Sequence, residues 1–205
     1  MTRSLRFLPA AGILAGWLAL AGWWTSGFRA FTTDAAALRS AGPLPRPAPD
    51  LAFRDTQGRL RTLAELRGRY VLLTFMYLNC PDVCHIVTGR MHEARASLAA
   101  LVPDRLVLVS VSIDPERDTS AALVSHMHGV GDSAGWIAGR LTRPLDAAAR
   151  AELAAWGVWA LRDARGQIKH AAYVFLVDPR GQVVAVYRPE ASVETFVDSL
   201  RRTVS

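Results

Sequence analysis

Hydrophobic positions along the chain form two nearly continuous runs, separated by segments with helical spacing. The runs are "RYVLLTFMY" at 69–77 and "RLVLVSVSID" at 105–114. Runs of this length, with few polar interruptions, are typical of strands covered on both faces. The pattern therefore predicts two central strands in a buried sheet.

Two further segments have the polar interruptions of hairpins. Residues 51–66, "LAFRDTQGRLRTLAEL", predict a short hairpin with its turn near Gln57-Gly58, followed by a helical turn. Residues 171–189, "AAYVFLVDPRGQVVAVYRP", predict two strands around the turn Asp178-Pro179-Arg180-Gly181.

Four segments have apolar residues at helical spacing. They are residues 81–102, residues 118–130 with Asp118 or Thr119 as the N-cap, residues 146–159 closed near Gly157, and residues 191–204. Strand, helix, strand and helix, followed by a hairpin and a terminal helix, predict an α/β sheet with helices on both faces. A thioredoxin-like arrangement fits this order, because Cys80 and Cys84 follow the first central strand and open the next helix.

The N-terminal segment has a different character. Residues 7–28 carry no charge and follow Arg3 and Arg6, and about 20 apolar residues suffice to cross a bilayer. Residues 1–28 are therefore predicted to be a membrane anchor with Trp23 and Trp24 at the far interface. A cleaved signal peptide is the alternative, because Ala19-Leu20-Ala21 resembles a cleavage site. Either interpretation places the rest of the chain outside the cytoplasm.

The remaining sequence divides into a linker and a domain. Residues 29–50 contain four prolines between Pro43 and Pro49, which predicts an extended linker. The folded domain is expected at 51–205. The whole chain has 205 residues, 51% of them hydrophobic, and a net charge of +6. The basic residues show no dense run with interleaved aromatics, so no nucleic-acid partner is predicted.

The two cysteines, Cys80 and Cys84, carry the candidate chemistry. A domain of this size buries a core without disulfide staples, so the pair is open to other uses. Four residues apart on a helix, the two thiols would share one face, where they could form a disulfide or hold a metal ion. A helix N-terminus also favours thiolates. A redox pair, a metal clamp and an inert buried pair remain open at this point.

A metal site needs a further ligand, and the chain has five histidines. His170 precedes a buried strand, on a segment that could reach the cysteines. Two thiolates and an imidazole suit Cu(I), Cu(II) or Zn(II). His126 and His128 are two residues apart and would not share a helix face, so a second site there is not favoured.

Three motifs in order resemble the Sco/SenC family of copper-binding cytochrome c oxidase assembly proteins: "YLNCPDVCHIV", "VSIDPERDT" and "KHAAYVFLVDPRGQVV". The resemblance implies a membrane-tethered, thioredoxin-like domain that binds copper through Cys80, Cys84 and His170. It also implies a partner, the copper-receiving subunit of cytochrome c oxidase, on which the cysteine pair is proposed to reduce or exchange disulfides.

The sequence departs from the family pattern at two places. His85 stands where the family usually has proline, and Lys169-His170-Ala171 replaces the common Asp-His-Ser. Asp82 and Asp114 are candidates to support the ligands or to face a partner, whereas Asp118 is expected to cap a helix or a loop.

Two other functions compete with copper delivery. The first is an extracytoplasmic thiol–disulfide oxidoreductase with Cys80 as the more exposed nucleophile. The second is covalent haem attachment, but "CPDVCH" is one residue longer than the usual C-x-x-C-H motif.

Overall fold

The computed structural model describes residues 8–24, 32–81, 84–131, 134–188 and 192–204. Within them, eight strands form one sheet in the order β1-β10-β9-β4-β5-β6-β2-β3, and β7 and β8 form a separate ribbon. The strands are β1 Arg46–Pro47, β2 Ala52–Asp55, β3 Leu60–Thr62, β4 Tyr70–Met76, β5 Leu106–Ser112, β6 Trp136–Leu141, β7 Ala160–Arg162, β8 Ile168–His170, β9 Val174–Val177 and β10 Gln182–Tyr187. β4, β5 and β6 are parallel, while β9 lies antiparallel to β4.

The helices cover both faces of this sheet. These are α3 Cys84–Ser97, α4 Ser120–Val130, α5 Ala147–Ala155 and α6 Val193–Val204. They follow α2 Thr33–Ser40 and α1 Leu8–Trp24, whose side chains from Ile13 onward are mostly exposed. Successive residues of a strand point to opposite faces. Leu73 accordingly packs in a core that includes Trp156, whereas Leu72 packs in another with Met91 and Phe196. The predicted α/β sheet with helices on both faces is confirmed.

The predicted hairpins and helices are also present, but three strand regions escaped prediction: β1, β6 and the β7–β8 ribbon. In β6 the reason is Gly139, which interrupts the apolar pattern. A Cβ atom there would lie 2.5 Å from the ring of Phe53 and 2.6 Å from the carbonyl oxygen of Arg54. The glycine therefore permits β2 to approach β6 closely.

The region predicted as an extended linker is partly folded. Thr32 caps α2 by accepting a hydrogen bond from the Ala35 N–H at 3.1 Å, and β1 pairs with β10. Leu38 packs against the core. The sheet thus begins at Arg46 rather than near Leu51, because apolar and arginine contacts hold this stretch against the domain.

The N-terminal helix α1 covers Leu8–Trp24. Among the described residues, no helix combines the length and the apolar character that crossing a bilayer requires. Residues 1–7 and 25–28 of the predicted anchor lie outside the described residues.

Candidate metal centre

The cysteines lie where β4 passes into α3. β4 ends at Met76, and α3 begins at Cys84. Cys80 therefore precedes the helix, and the prediction that both thiols share a helix face is wrong. Asp82 lies outside the described residues. Both cysteines are free thiols and buried, with 6% exposure for Cys80 and 7% for Cys84. Cys80 is thus not the more exposed of the two.

His170 reaches Cys84 from the β7–β8 ribbon. The distance between Cys84 Sγ and His170 Nε2 is 3.8 Å. His170 Nδ1 lies 3.0 Å from the carbonyl oxygen of Ala171. Because a carbonyl only accepts, Nδ1 carries the proton, and Nε2 directs its lone pair toward the thiol. This is the tautomer that a metal ligand needs.

The sulfur–nitrogen separation fits a shared metal ion. Bonds of about 2.3 Å to sulfur and about 2.0 Å to nitrogen place the two atoms roughly 3.5–3.8 Å apart at tetrahedral to trigonal angles. The neighbouring Cys80 thiol raises the pKa of Cys84. Among the described residues, however, no three His, Cys, Asp or Glu side chains form a ready-made metal site. Of the three predicted ligands, Cys84 and His170 are the pair whose approach is resolved, at 3.8 Å.

Burial determines the protonation of this pair. Loss of solvent raises the pKa of Cys84 well above its ordinary value, and the Cys80 thiol and the negative charge of Asp118 raise it further. Burial, together with the nearby cysteines, also raises the pKa of Tyr77 to about 12. For Cys84 this burial opposes the thiolate that the helix N-terminus is expected to favour. A metal ion that binds there must displace a proton.

The Asp118 carboxylate holds the loop that precedes Cys80 through a hydrogen bond. Its Oδ2 accepts hydrogen bonds from the Leu78 N–H at 2.9 Å and the Ser112 hydroxyl at 2.5 Å. The N-cap of α4 is Thr119, so Asp118 caps the loop at Leu78 and not this helix. Burial raises the pKa of this carboxyl, against the two hydrogen bonds.

Asp114 connects the "SIDPERD" loop to the ribbon that carries His170. The Asp114 side chain is 1% exposed, and its Oδ1 lies 2.8 Å from Arg162 Nη2 in β7. Arg117 contributes a second, longer contact of 3.5 Å. Asp114 therefore faces the protein interior and not a partner. Sequence reasoning missed Arg162, because β7 itself was not predicted.

A cavity of about 390 Å³ opens beside the site, lined in part by Tyr77, Cys80, Trp159 and His170. The rings of Tyr77 and His170 meet edge to face, with centroids 5.9 Å apart. The backbone carbonyl of Trp159 accepts a hydrogen bond from the Ala171 N–H at 3.1 Å. The Tyr77 ring thus packs against the imidazole at the cavity.

The other histidines lie apart from this pair. His85 is exposed on α3, although Cys84 beside it is buried, and His126 and His128 differ in exposure on α4. The lowered pKa of His126 arises first from burial and then from the neighbouring His85. None of them belongs to a group of three metal-binding side chains among the described residues.

Comparison with known proteins settles the family. The SCO1/SenC family model matches residues 45–205, a range that begins one residue before β1. This chain belongs to the SCO1/SenC family. The match covers every residue of the candidate site.

Relatives of this SCO1/SenC protein include the mitochondrial SCO2 homologue of Bos taurus, which is 29% identical over 210 residues, covering 95% of this chain and 72% of the bovine protein. Yeast Sco1 with copper bound superposes with a TM-score of 0.65 at 22% identity, covering 78% of this chain and 89% of the yeast chain. BsSco, a Sco-family cytochrome c oxidase assembly protein with a disulfide switch, gives 0.65 at 20% identity, covering 79% of this chain and 95% of BsSco. At these identities the two solved structures establish the fold alone.

Proposed function

We propose that this protein is a copper-binding metallochaperone that assists assembly of the copper centre of cytochrome c oxidase. The observation that carries the proposal is the 3.8 Å approach of His170 Nε2 to Cys84 Sγ, with Nδ1 held by a backbone carbonyl. Thiolates and an imidazole are ligands that copper prefers. Cys80, Cys84 and His170 are the proposed ligands, and copper is the cargo.

Two related proteins of known structure support this proposal. Yeast Sco1 is known with copper bound, and BsSco is described as a member of a family of cytochrome c oxidase assembly proteins. We propose the copper-receiving subunit of the oxidase as the partner. We also propose that residues 1–28 anchor the chain, that residues 29–50 connect the anchor to the thioredoxin-like domain, and that this domain lies on the extracytoplasmic side.

A copper titration of the reduced full-length protein in a neutral detergent tests the ligand set. We expect one equivalent of copper and a sulfur-to-copper charge-transfer band. His170→Ala should change the band and weaken binding, and Cys80→Ser or Cys84→Ser should abolish tight binding. His128→Ala is the matched control, because His128 is exposed on α4 and should have no effect. Unchanged copper retention in all three ligand variants would rule out the site.

A thiol–disulfide oxidoreductase is the second candidate. It is favoured by the Cys80 thiol acting on Cys84 as a close neighbour and by the disulfide switch of BsSco. In that reaction one thiolate attacks the substrate disulfide and the other resolves the mixed disulfide. The protein dithiol is oxidised, and the substrate leaves as two thiols. Turnover of a disulfide substrate that survives His170→Ala but not Cys84→Ser would favour this function over copper delivery.

A further inference from the structure

A groove of about 730 Å³ lies away from the cysteines, between α2, the segment that follows it, and the end of β10. Three arginines line it: Arg39, Arg46 and Arg188. Apolar side chains, including those of Leu38, Leu44 and Val186, complete the walls. None of the described residues that line it is acidic. The groove therefore combines positive charge with apolar surface.

Arg46 is the buried member of the set, with 9% exposure. Its Nη1 donates to the carbonyl of Gly42 at 2.8 Å and its Nη2 to the carbonyl of Trp156 at 3.0 Å. Its Nε is buried and has no hydrogen-bond partner within the described part of the chain. Both partners are neutral carbonyls, and burial lowers the pKa of this guanidinium. Buried charges are normally paired with an opposite charge, and no described carboxylate supplies one here.

Arg39 and Arg188 add two exposed guanidinium groups at the same groove. Across the described ranges, neither forms an ion pair with an acidic side chain. Guanidinium groups bind phosphate oxygens through paired, charge-assisted hydrogen bonds, which makes clusters of arginine typical of phosphate recognition.

We propose that this groove binds the phosphate group of an anionic ligand, with Arg46 at its floor and Arg39 and Arg188 at its rim. The ligand is either a phospholipid headgroup or a soluble phosphate ester, whose carbon portion contacts the apolar wall. The lipid source rests on the proposed membrane anchor: α1 ends at Trp24, and α2, which forms one wall, begins at Thr33.

The first experiment measures thermal unfolding of the full-length protein in a neutral detergent, with increasing inorganic phosphate or glycerol 3-phosphate at constant ionic strength. A ligand that binds only the folded state raises the melting temperature in a concentration-dependent manner. We expect this shift, and we expect the double variant Arg39→Gln/Arg188→Gln to weaken binding about tenfold or more. Arg150→Gln/Arg165→Gln removes two exposed arginines elsewhere and should leave the shift unchanged.

The second experiment distinguishes the two sources. Hydrogen–deuterium exchange of residues 33–46 is compared in nanodiscs of phosphatidylcholine alone and in nanodiscs that also contain phosphatidylglycerol. Slower exchange with phosphatidylglycerol, lost in the Arg39→Gln/Arg188→Gln variant, identifies a lipid headgroup. A phosphate-dependent melting shift without this lipid effect identifies a soluble phosphate ester. Both results support the site.

Absence of both the melting shift and the phosphatidylglycerol effect, or equal effects in the double variant, would overturn the proposal. Copper titration of the same samples keeps this outcome separate from the proposed function. The groove variants should bind copper like the wild type, because the lining residues of the groove include neither cysteine nor histidine.

Discussion

Asp118 illustrates how one buried carboxylate organises the cysteine loop. Its Oδ2 receives hydrogen bonds from Leu78 and Ser112, and its charge raises the pKa of Cys84. Asp118 therefore affects the cysteines in two ways: it holds the backbone before Cys80, and its charge disfavours the thiolate of Cys84. It is a positioning residue and not a ligand.

Replacing Asp118 should separate these two effects. Asp118→Ala leaves the half-buried Leu78 N–H and the buried Ser112 hydroxyl without this acceptor, and we expect a loss of about 1–3 kcal/mol in unfolding free energy. Asp118→Asn keeps an accepting oxygen and should lose less. Urea denaturation measures both, with Asp104→Ala in an exposed turn as a control expected within about 0.5 kcal/mol of the wild type. Equal losses for Asp118→Ala and Asp104→Ala would contradict the role.

The raised pKa of Cys84 predicts its reactivity toward iodoacetamide. In a Cys80→Ser background, alkylation of metal-free protein should be slow at neutral pH and should still rise above pH ~8.5, the ordinary thiol pKa, because burial keeps the thiol protonated. Adding Asp118→Asn should move the profile to lower pH by removing a negative charge. A plateau near neutral pH would show that the helix N-terminus dominates instead.

The same shift has a consequence for stability. A thiol whose pKa is higher in the folded state than in the unfolded state stabilises the fold fully only below the unfolded pKa. Stability should therefore fall as pH rises above about 8.5. In urea titrations, Cys84→Ser should lessen that decline, and a decline of unchanged size would trace it to other groups such as Tyr77.

At the level of secondary-structure elements, the sequence correctly predicted those with long apolar patterns. β4 and β5 are covered on both faces, so their runs were visible as continuous apolar stretches, and the helices kept their spacing. The sequence pattern did not predict the β7–β8 ribbon, because its strands are short and partly exposed. The histidine could be named by resemblance, but its approach to Cys84 depends on the pairing of Ala160 with His170, which no local pattern encodes.

The ion pair between Arg162 and the buried Asp114 holds the β7–β8 ribbon against the loop that follows β5. Arg162→Gln should lower the unfolding free energy by about 1–3 kcal/mol, since Asp114 loses a charged partner, and should alter the copper charge-transfer band by shifting His170. Arg165→Gln, in the exposed turn of the same ribbon, should do neither. If Arg162→Gln reduces stability but leaves the copper spectrum as in the wild type, the ion pair does not position His170.

For the molecule as a whole, α2 is part of the domain and not a free linker. Gly157 adopts φ +83°, and a Cβ atom there would lie 3.0 Å from the Leu38 Cα. The Trp159 indole N–H also donates to the Asp34 carboxylate. Prolines in this stretch suggested an extended chain, but the contacts that hold it come from residues more than a hundred positions away.

Gly157→Ala tests this docking against a matched strain control. Gly58 has φ +77° with open space around it, so Gly58→Ala should cost only the backbone strain, about 1–2 kcal/mol. Gly157→Ala should cost more, because it also displaces α2, and trypsin should cut faster at Arg39. Similar unfolding free energies and cleavage rates for the two variants would show that α2 is not held by this contact.

The contact between Asp34 and Trp159 also limits where the protein can work. Trp159 lines the cavity beside Cys80 and His170, so α2 is bound to the rim of the site. Only residues 25–32 separate α2 from α1, a stretch that spans about 27 Å even when fully extended. With α1 in the bilayer, as proposed, the short connection keeps the site in a thin layer next to the membrane surface. Recipients embedded in the same membrane then meet it at a high effective concentration, whereas soluble proteins farther away lie beyond its reach.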